Sequence, residues 1–397
     1  MRIALISSLF PPYAIGGAEH MAARLAVALK ELGHHVEVIS TGRRTETACW
    51  EGIRVWRIAP WNLYWSFDKE QNRPGPLARA AWHAVDLWNP TIIRPLRQAL
   101  ESIRPDVVTT HNIDGLSPLV WAVAREQTAA LVHTLHDYHL LCPRATMRRA
   151  DGSICENLCR SCRIYAQYHR LFQKHVRILA APANAIAEMH RLAGWTGPEL
   201  RIIPNAVDVS GVEAGTGPAA GPLQVLFISR LVREKGCETL LEALAMCRDA
   251  AGIEFHVAGH GEYESRFAQA AEGMPNVTWH GFVEGRAKHE LLANADVFLQ
   301  LSECRENAPL ALIEARSYGL YLVGSRIGGI PELIDRPEAG RLIPPGNPQA
   351  LAAALKDISE RKREVRAGRP QRIRRNAGYG VREMAERYLQ VFASLLG

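Results

Sequence analysis

Short, nearly continuous apolar runs alternate along this chain with segments whose apolar residues recur every three or four positions. The runs at 3–7, 36–40, 106–110, 130–135 and 177–180 read as buried strands in the first half, and those at 225–229, 255–258, 277–280, 297–301 and 321–324 in the second. Strands of this kind separated by helical segments predict parallel α/β architecture. Helical spacing is clear at Met21, Leu25 and Leu29, and over 238–246. It returns at the end with Met384, Tyr388, Val391, Phe392 and Leu395, which predicts a packing helix, the alternative being a helix that lies on a membrane. The stretch 210–222 is rich in Gly and poor in large apolar residues, and reads as a surface connector. A chain of 397 residues predicts two domains. Each strand set suits one doubly wound domain, with ligands at the carboxyl ends of the strands in a cleft between the two.

Composition adds little to this picture, but charge distribution adds more. Hydrophobic residues make up 47% and charged residues 22%, ordinary for a globular protein. No apolar run reaches the ~18–20 residues needed to span a bilayer, and the first residues read as a core strand and not as an export signal. Residues 1–204 hold 24 Lys and Arg against 17 Asp and Glu, and 205–397 hold 23 against 24. The cationic first half, together with the basic run 361–387, suits an anionic membrane surface or a lipid-diphosphate acceptor, and general solubility accounts for it equally well. No recognition motif accompanies the charge, so a nucleic acid partner is not expected.

Candidate chemistry concentrates at strand ends. Glu306 stands before a predicted helix start, and Glu314 about two turns further on. A helix start offers unpaired N–H groups and a positive dipole end, a seat for phosphate. A sugar met by one acid and a ribose met by the other would suit a nucleotide-sugar; a solvated acidic helix explains the pair alone. Arg230 and Lys235 follow the strand 224–229 and precede a helix, where two cations can clamp a diphosphate. Gly16 and Gly17 open a helix after the first strand and allow close backbone approach. Val257-Ala258-Gly259-His260-Gly261-Glu262 is a Gly-rich turn of the same style. His111 and His136 end two strands that would be neighbours, although a lone strand-end His is more often structural.

Taken in order, with Ile202-Ile203-Pro204-Asn205-Ala206-Val207-Asp208 closing the first half, these segments resemble the retaining GT-B glycosyltransferases of family 4, the glycosyl transferases group 1, over nearly the whole chain. The resemblance implies two doubly wound Rossmann-like domains facing each other across a cleft. Residues 1–205 would bind the acceptor and carry a Cys-rich insertion at 142–162. The linker 206–222 would lead to a nucleotide-sugar domain at 223–378, and 379–397 would cross back onto the first domain. The implied activity is that of a hexosyltransferase-type enzyme. It would move a sugar from a nucleoside-diphosphate sugar to a hydroxyl of a glycan or lipid-linked glycan in polysaccharide or glycolipid assembly. The place implied is the cytoplasm, peripheral to the plasma membrane's inner face, and no cofactor is required for transfer. His136 and Glu306 match positions near the donor sugar and reaction centre. The donor side would comprise Gly16, Gly17, Arg230, Lys235, Gly261, Phe282, Val283, Asn307, Ala308, Leu310 and Glu314, with Glu314 on the ribose and the His280–Val283 stretch against the base. The acceptor side would comprise His111, Asp137 and Asn205. Pro309 departs from a frequent glycine and has no N–H, so a phosphate contact falls to Ala308, Leu310 or Ala311.

Two clusters stand apart from these motifs. Cys142, Cys155, Cys159 and Cys162 fall within 21 residues at a spacing that admits a structural zinc knuckle; reduced loop thiols, or disulfides outside the cytoplasm, are the alternatives. Trp50, Trp56, Trp61, Trp65, Trp82 and Trp88, with Tyr64, Phe67, Arg73 and Arg79, suit either a membrane-facing acceptor region or core packing. Among other functions, a nicotinamide oxidoreductase fits poorly: the turn after the first strand is Pro-rich and lacks the glycine fingerprint, and the second strand ends in Ser40-Thr41-Gly42 without an acid. A sugar-nucleotide epimerase of the same architecture and a non-catalytic zinc-containing scaffold remain as alternatives. The intact Arg230, Lys235, Glu306 and Glu314 argue against a decayed site.

Overall fold

The computed structural model describes residues 1–13, 16–65, 67, 74–149, 152–208, 220–250, 252–375 and 378–397. Arg73 and most of the expected connector (209–219) lie outside them. The chain divides into two α/β units, one formed by Met1–Met147, Cys155–Pro204 and Val381–Gly397, the other by Arg148–Ile154 and Asn205–Gly380.

The first unit is built on eight strands: β1 (Arg2–Ser7), β2 (His35–Thr41), β3 (Glu46–Trp50), β4 (Ile53–Ile58), β5 (Val107–Thr110), β6 (Leu131–Thr134), β7 (Ile178–Ala181) and β8 (Glu199–Ile202). Their order is β3-β4-β2-β1-β5-β6-β7-β8, parallel except for the β3–β4 hairpin. The interior strands are apolar on both faces because helices cover both. The structure adds β3, β4 and β8 to the predicted strands; β3 and β8 are edge strands with polar, exposed residues and lack the buried signature. The last helix, Val381–Leu396, belongs to this unit: Phe392 is buried, and the Tyr388 hydroxyl meets Thr134 Oγ1 at 2.9 Å.

The second unit holds β9 (Leu223–Arg230), β10 (Ile253–His260), β11 (Val277–Trp279), β12 (Val297–Gln300), β13 (Tyr321–Ser325) and β14 (Gly340–Ile343), all parallel, in the order β11-β10-β9-β12-β13-β14. The chain winds outward from β9 on one side and from β12 on the other. Loops therefore diverge at the carboxyl ends of β9 and β12, leaving a crevice there. In the first unit the corresponding switch lies between β1 and β5. No helix among the described residues is long and apolar enough to cross a membrane.

Candidate active site

In the second unit, the chain leaves β9 at Arg230, makes a short turn over Arg233–Lys235 and enters the helix Cys237–Met246. Gly236 has φ of 80°, and a Cβ there would lie 2.1 Å from the Leu301 carbonyl at the end of β12. Glycine alone lets this turn press onto the neighbouring strand end. The result brings Lys235 Nζ into an ion pair with Glu306 Oε1, which also accepts from Ser302 Oγ at 2.7 Å. Burial works against both charges. For Glu306, the Lys235 charge and the two hydrogen bonds outweigh burial and hold the carboxyl below its ordinary range. For Lys235, the Glu306 charge likewise overcomes burial and keeps the ammonium above its ordinary value. Arg230 reaches into solvent, with Glu234 at 3.7 Å.

Beyond Glu306 the helix Leu310–Ser317 begins, with Pro309 at its N-cap. Because it starts at Leu310, Glu314 sits about one turn inside it, not the two counted from Glu306. Leu312 and Ile313 donate to the Pro309 carbonyl; the Leu310 and Ala311 N–H groups open the first turn, where no intrahelical acceptor exists. Glu314 pairs with Lys288 at 2.7 Å, and Lys288 comes from the helix Gly285–Asn294. That partner carries no sequence signal, since only sheet order brings the two segments together. The Glu306 turn is further fixed by Gly328, where a Cβ would lie 2.1 Å from the Glu306 carbonyl.

Other expected donor residues fall less simply. The Gly261 N–H donates to the Glu264 carboxylate at 2.7 Å, so in this arrangement the glycine serves a tight turn against the Leu231 carbonyl. Phe282 is exposed and Val283 half-buried, in the loop after β11. Asn205, expected on the acceptor side, belongs to the second unit, where its Nδ2 donates to the Ala308 carbonyl at 3.0 Å and braces the Glu306 turn.

In the first unit, Gly16 caps the helix Gly17–Glu31, and its N–H donates to the Glu19 carboxylate at 2.7 Å, so an acid already occupies this helix start. His111 follows β5 and His136 lies two residues past β6, which pairs with β5. Their rings stack with centroids 5.0 Å apart, and His111 Nδ1 stands 2.8 Å from His136 Nε2. Burial lowers His136 to about 4 and pushes His111 well below its ordinary value, so both are neutral at pH 7. His111 Nε2 is buried without a hydrogen-bond partner among the described residues.

Asp137 leads into a buried ionic cluster that sequence reasoning missed. Burial and the Asp114 charge raise Asp137 to about 6, and its carboxylate accepts the His139 N–H at 2.7 Å. His139 Nδ1 meets Asp114 at 2.5 Å. Burial would discharge His139, but Asp114, Asp137 and Asp86 raise it to about 9. Asp86, on the helix Pro76–Leu87, is raised to about 7 by burial and by Asp114. His83, His169 and Tyr165 complete the surroundings. A folded pKa above the unfolded 6.5 means His139 stabilises fully below pH ~6.5 and loses that contribution as pH rises through about 9. We expect the wild-type free energy of unfolding to fall across that window, by an amount on the order of 3 kcal/mol. An Asp114→Asn variant should show a flatter curve by calorimetry at stepped pH.

The four cysteines expected to admit a structural zinc lie in the first unit. Cys162 hydrogen-bonds to both Cys142 and Cys159, yet among the described residues no three of the four sulfurs lie within 4.8 Å of one another. Sulfurs around a tetrahedral zinc stand about 3.8 Å apart for Zn–S of ~2.3 Å. Asp86, Asp114 and His139 do bring ligand atoms within 4.8 Å; there Asp114 is paired with His139 and Asp86 accepts the Gly115 amide. The tryptophans divide: Trp82 is buried, Trp56 and Trp65 pack against Glu37 and Tyr13, and Trp61 and Trp88 face solvent.

Both halves of the chain match known protein families. Residues 15–210 match the family model described as Glycosyltransferase Family 4, and residues 213–378 the model described as Glycosyl transferases group 1. An uncharacterised 42.6 kDa protein in the cps region of Klebsiella pneumoniae is 27% identical over 84% of this chain and 87% of its own length. A glycogen synthase of Mycobacterium tuberculosis is 27% identical over 93% and 89%. The crystal structure of Anabaena HepE in complex with UDP superimposes with a TM-score of 0.71 at 18% identity, covering 99% of this chain and 100% of that one, a likeness of fold.

Proposed function

Because the chain belongs to the group 1 glycosyl transferases, with the GT-B fold and a family 4 first half, we propose that it transfers a hexose, with retention, from a nucleoside-diphosphate sugar to a glycan or lipid-linked glycan hydroxyl in polysaccharide biosynthesis. The observation that carries the donor reading is the Lys235–Glu306 pair at the β9/β12 crevice, beside a helix start and below Arg230. A nucleoside diphosphate needs cations where charge builds as it leaves, and Lys235, Arg230 and the Leu310 and Ala311 amides supply them. Glu306, ionised and fixed by Ser302, is suited to accept sugar hydroxyls, and Glu314 to accept both ribose hydroxyls once Lys288 yields one oxygen. The bound UDP of HepE and the glycan product of the mycobacterial glycogen synthase support the same classes of donor and product.

In the proposed step the acceptor oxygen attacks the anomeric carbon on the face the phosphate leaves. The carbon–phosphate oxygen bond breaks, and the acceptor proton passes to a phosphate oxygen. His136, neutral, hydrogen-bonds a sugar hydroxyl and takes no proton permanently. Mass-spectrometric turnover with a panel of UDP-, GDP- and ADP-sugars, followed by proton NMR of the anomeric coupling, tests this. One donor should lose its sugar to an acceptor with its anomeric configuration kept. Donor isomerised without acceptor product would point to an epimerase, and thermal stabilisation by NAD alone would overturn the proposal.

A further inference from the structure

The helix Pro76–Leu87 turns its polar chemistry inward and its apolar residues outward. Asp86, its one acid, is buried and accepts the Gly115 and Ser117 amides at 3.1 and 3.3 Å. Trp82 is buried too, its indole N–H on the Tyr64 carbonyl at 2.9 Å. Leu77, Ala81 and Ala84 face water, continued by Trp88 just past the helix end, at the spacing of a single helical stripe. Leu77 is 87% exposed and Trp88 60%.

The neighbouring helix Arg160–Arg170 repeats this inversion. Tyr165, Ala166 and His169 are buried, while Ile164 is 69% exposed and Leu171, just past the helix, 67%. The Tyr168 hydroxyl donates to the Leu87 carbonyl at 2.9 Å, which places the two helices side by side. Exposed Trp61 joins them, since Asn89 Nδ2 donates to its carbonyl at 2.8 Å. From residue 157 to 187 the chain holds five basic residues and no acid. Arg160 and Arg163 are exposed on the same helix as Ile164, and Lys174 is exposed in the short turn that follows Leu171.

We propose that this face of the first unit docks on an anionic lipid bilayer, with Leu77, Trp88, Ile164 and Leu171 entering the headgroup boundary and Arg160, Arg163 and Lys174 meeting lipid phosphates. Large apolar side chains that stand out separately, rimmed by cations, suit a fluid interface that moulds to them. A second copy of the chain would bring the same uncompensated basic stretch against itself. The inference rests on the exposed residues alone and is independent of the transfer chemistry.

The test is flotation of the full chain with vesicles of phosphatidylglycerol and phosphatidylcholine, against phosphatidylcholine alone. Binding should require the anionic lipid and weaken as salt rises. R160Q/R163Q/K174Q should lower partitioning by roughly 100-fold, and L77S/I164S by about 10-fold or more. All five side chains are exposed, so melting temperatures should stay at the wild-type value and show that each variant folds. Equal partitioning of wild type and both variants would overturn the proposal. So would a concentration-dependent dimer by light scattering that L77S/I164S disrupts while the vesicles float free of protein.

Discussion

A Lys235→Ala variant is expected to lose 10²–10³-fold in kcat/KM and, at the same time, about 3 kcal/mol of stability. The two losses have one origin. Lys235 is 18% and Glu306 15% exposed at the side chain, and each offsets the burial cost of the other. Removing the ammonium strands a carboxylate in a poor solvent, and its pKa must rise. The companion variant K235M/E306Q replaces both charges with neutral groups of similar size, so urea unfolding should show most of the stability restored while turnover stays low. Arg230→Ala should behave differently. Its guanidinium is exposed and loosely paired, so donor affinity should fall with no measurable change in unfolding. Wild-type donor affinity and turnover in the Lys235→Ala, Arg230→Ala double variant would remove the foundation of the donor assignment.

His136→Ala should lower kcat by 10²–10⁴-fold with little change in nucleotide affinity, because His136 belongs to the first unit and the residues proposed for the nucleotide belong to the second. The stack on His111 gives this side chain one orientation, and the 2.8 Å contact between ring nitrogens requires one to donate and the other to accept. The accepting ring must then be uncharged, and burial keeps the donating ring neutral as well. With His136 lowered to about 4, the wild-type rate should show no imidazole limb from about pH 5 upward. The same lowering carries a stability cost in acid: the unfolded chain binds protons from about pH 6.5 downward before the folded one does, so stability falls as pH drops from there toward 4. A kcat–pH profile with an inflection near 6.5 that disappears in His136→Asn would contradict a neutral His136.

The parts of this molecule that depend on periodicity were legible in its sequence. Apolar runs such as Leu131–Thr134 and Val297–Gln300 are buried on both faces, and burial on both faces is what such a run means. The Glu306 turn could be placed for the same reason, since it follows a strand and precedes a helix. Edge strands escaped: Glu199–Ile202 has no fully buried residue, so nothing in its composition separates it from a loop. Pairings set by sheet order also escaped. Lys288 reaches Glu314 and Asp114 reaches His139 across 26 and 25 positions, and no local spacing foretells either contact. The contact of Asn205 escaped for the same reason: it lies at the boundary between the units, and its amide braces a carbonyl 103 residues away. The tryptophan stretch could not be resolved by composition, because a single short segment supplies both buried and exposed indoles.

Because the final helix is part of the first unit, that unit is not a continuous stretch of polypeptide. Its interior is completed by Tyr388 and Phe392, which ribosomes deliver only after the whole second unit has been made. A fragment ending at Pro204 would expose the apolar seats of those two rings and should aggregate, whereas grafting Val381–Gly397 directly behind Pro204 through a flexible joint should yield a free-standing lobe. During synthesis, the half that emerges first must wait for the other to finish before it can close.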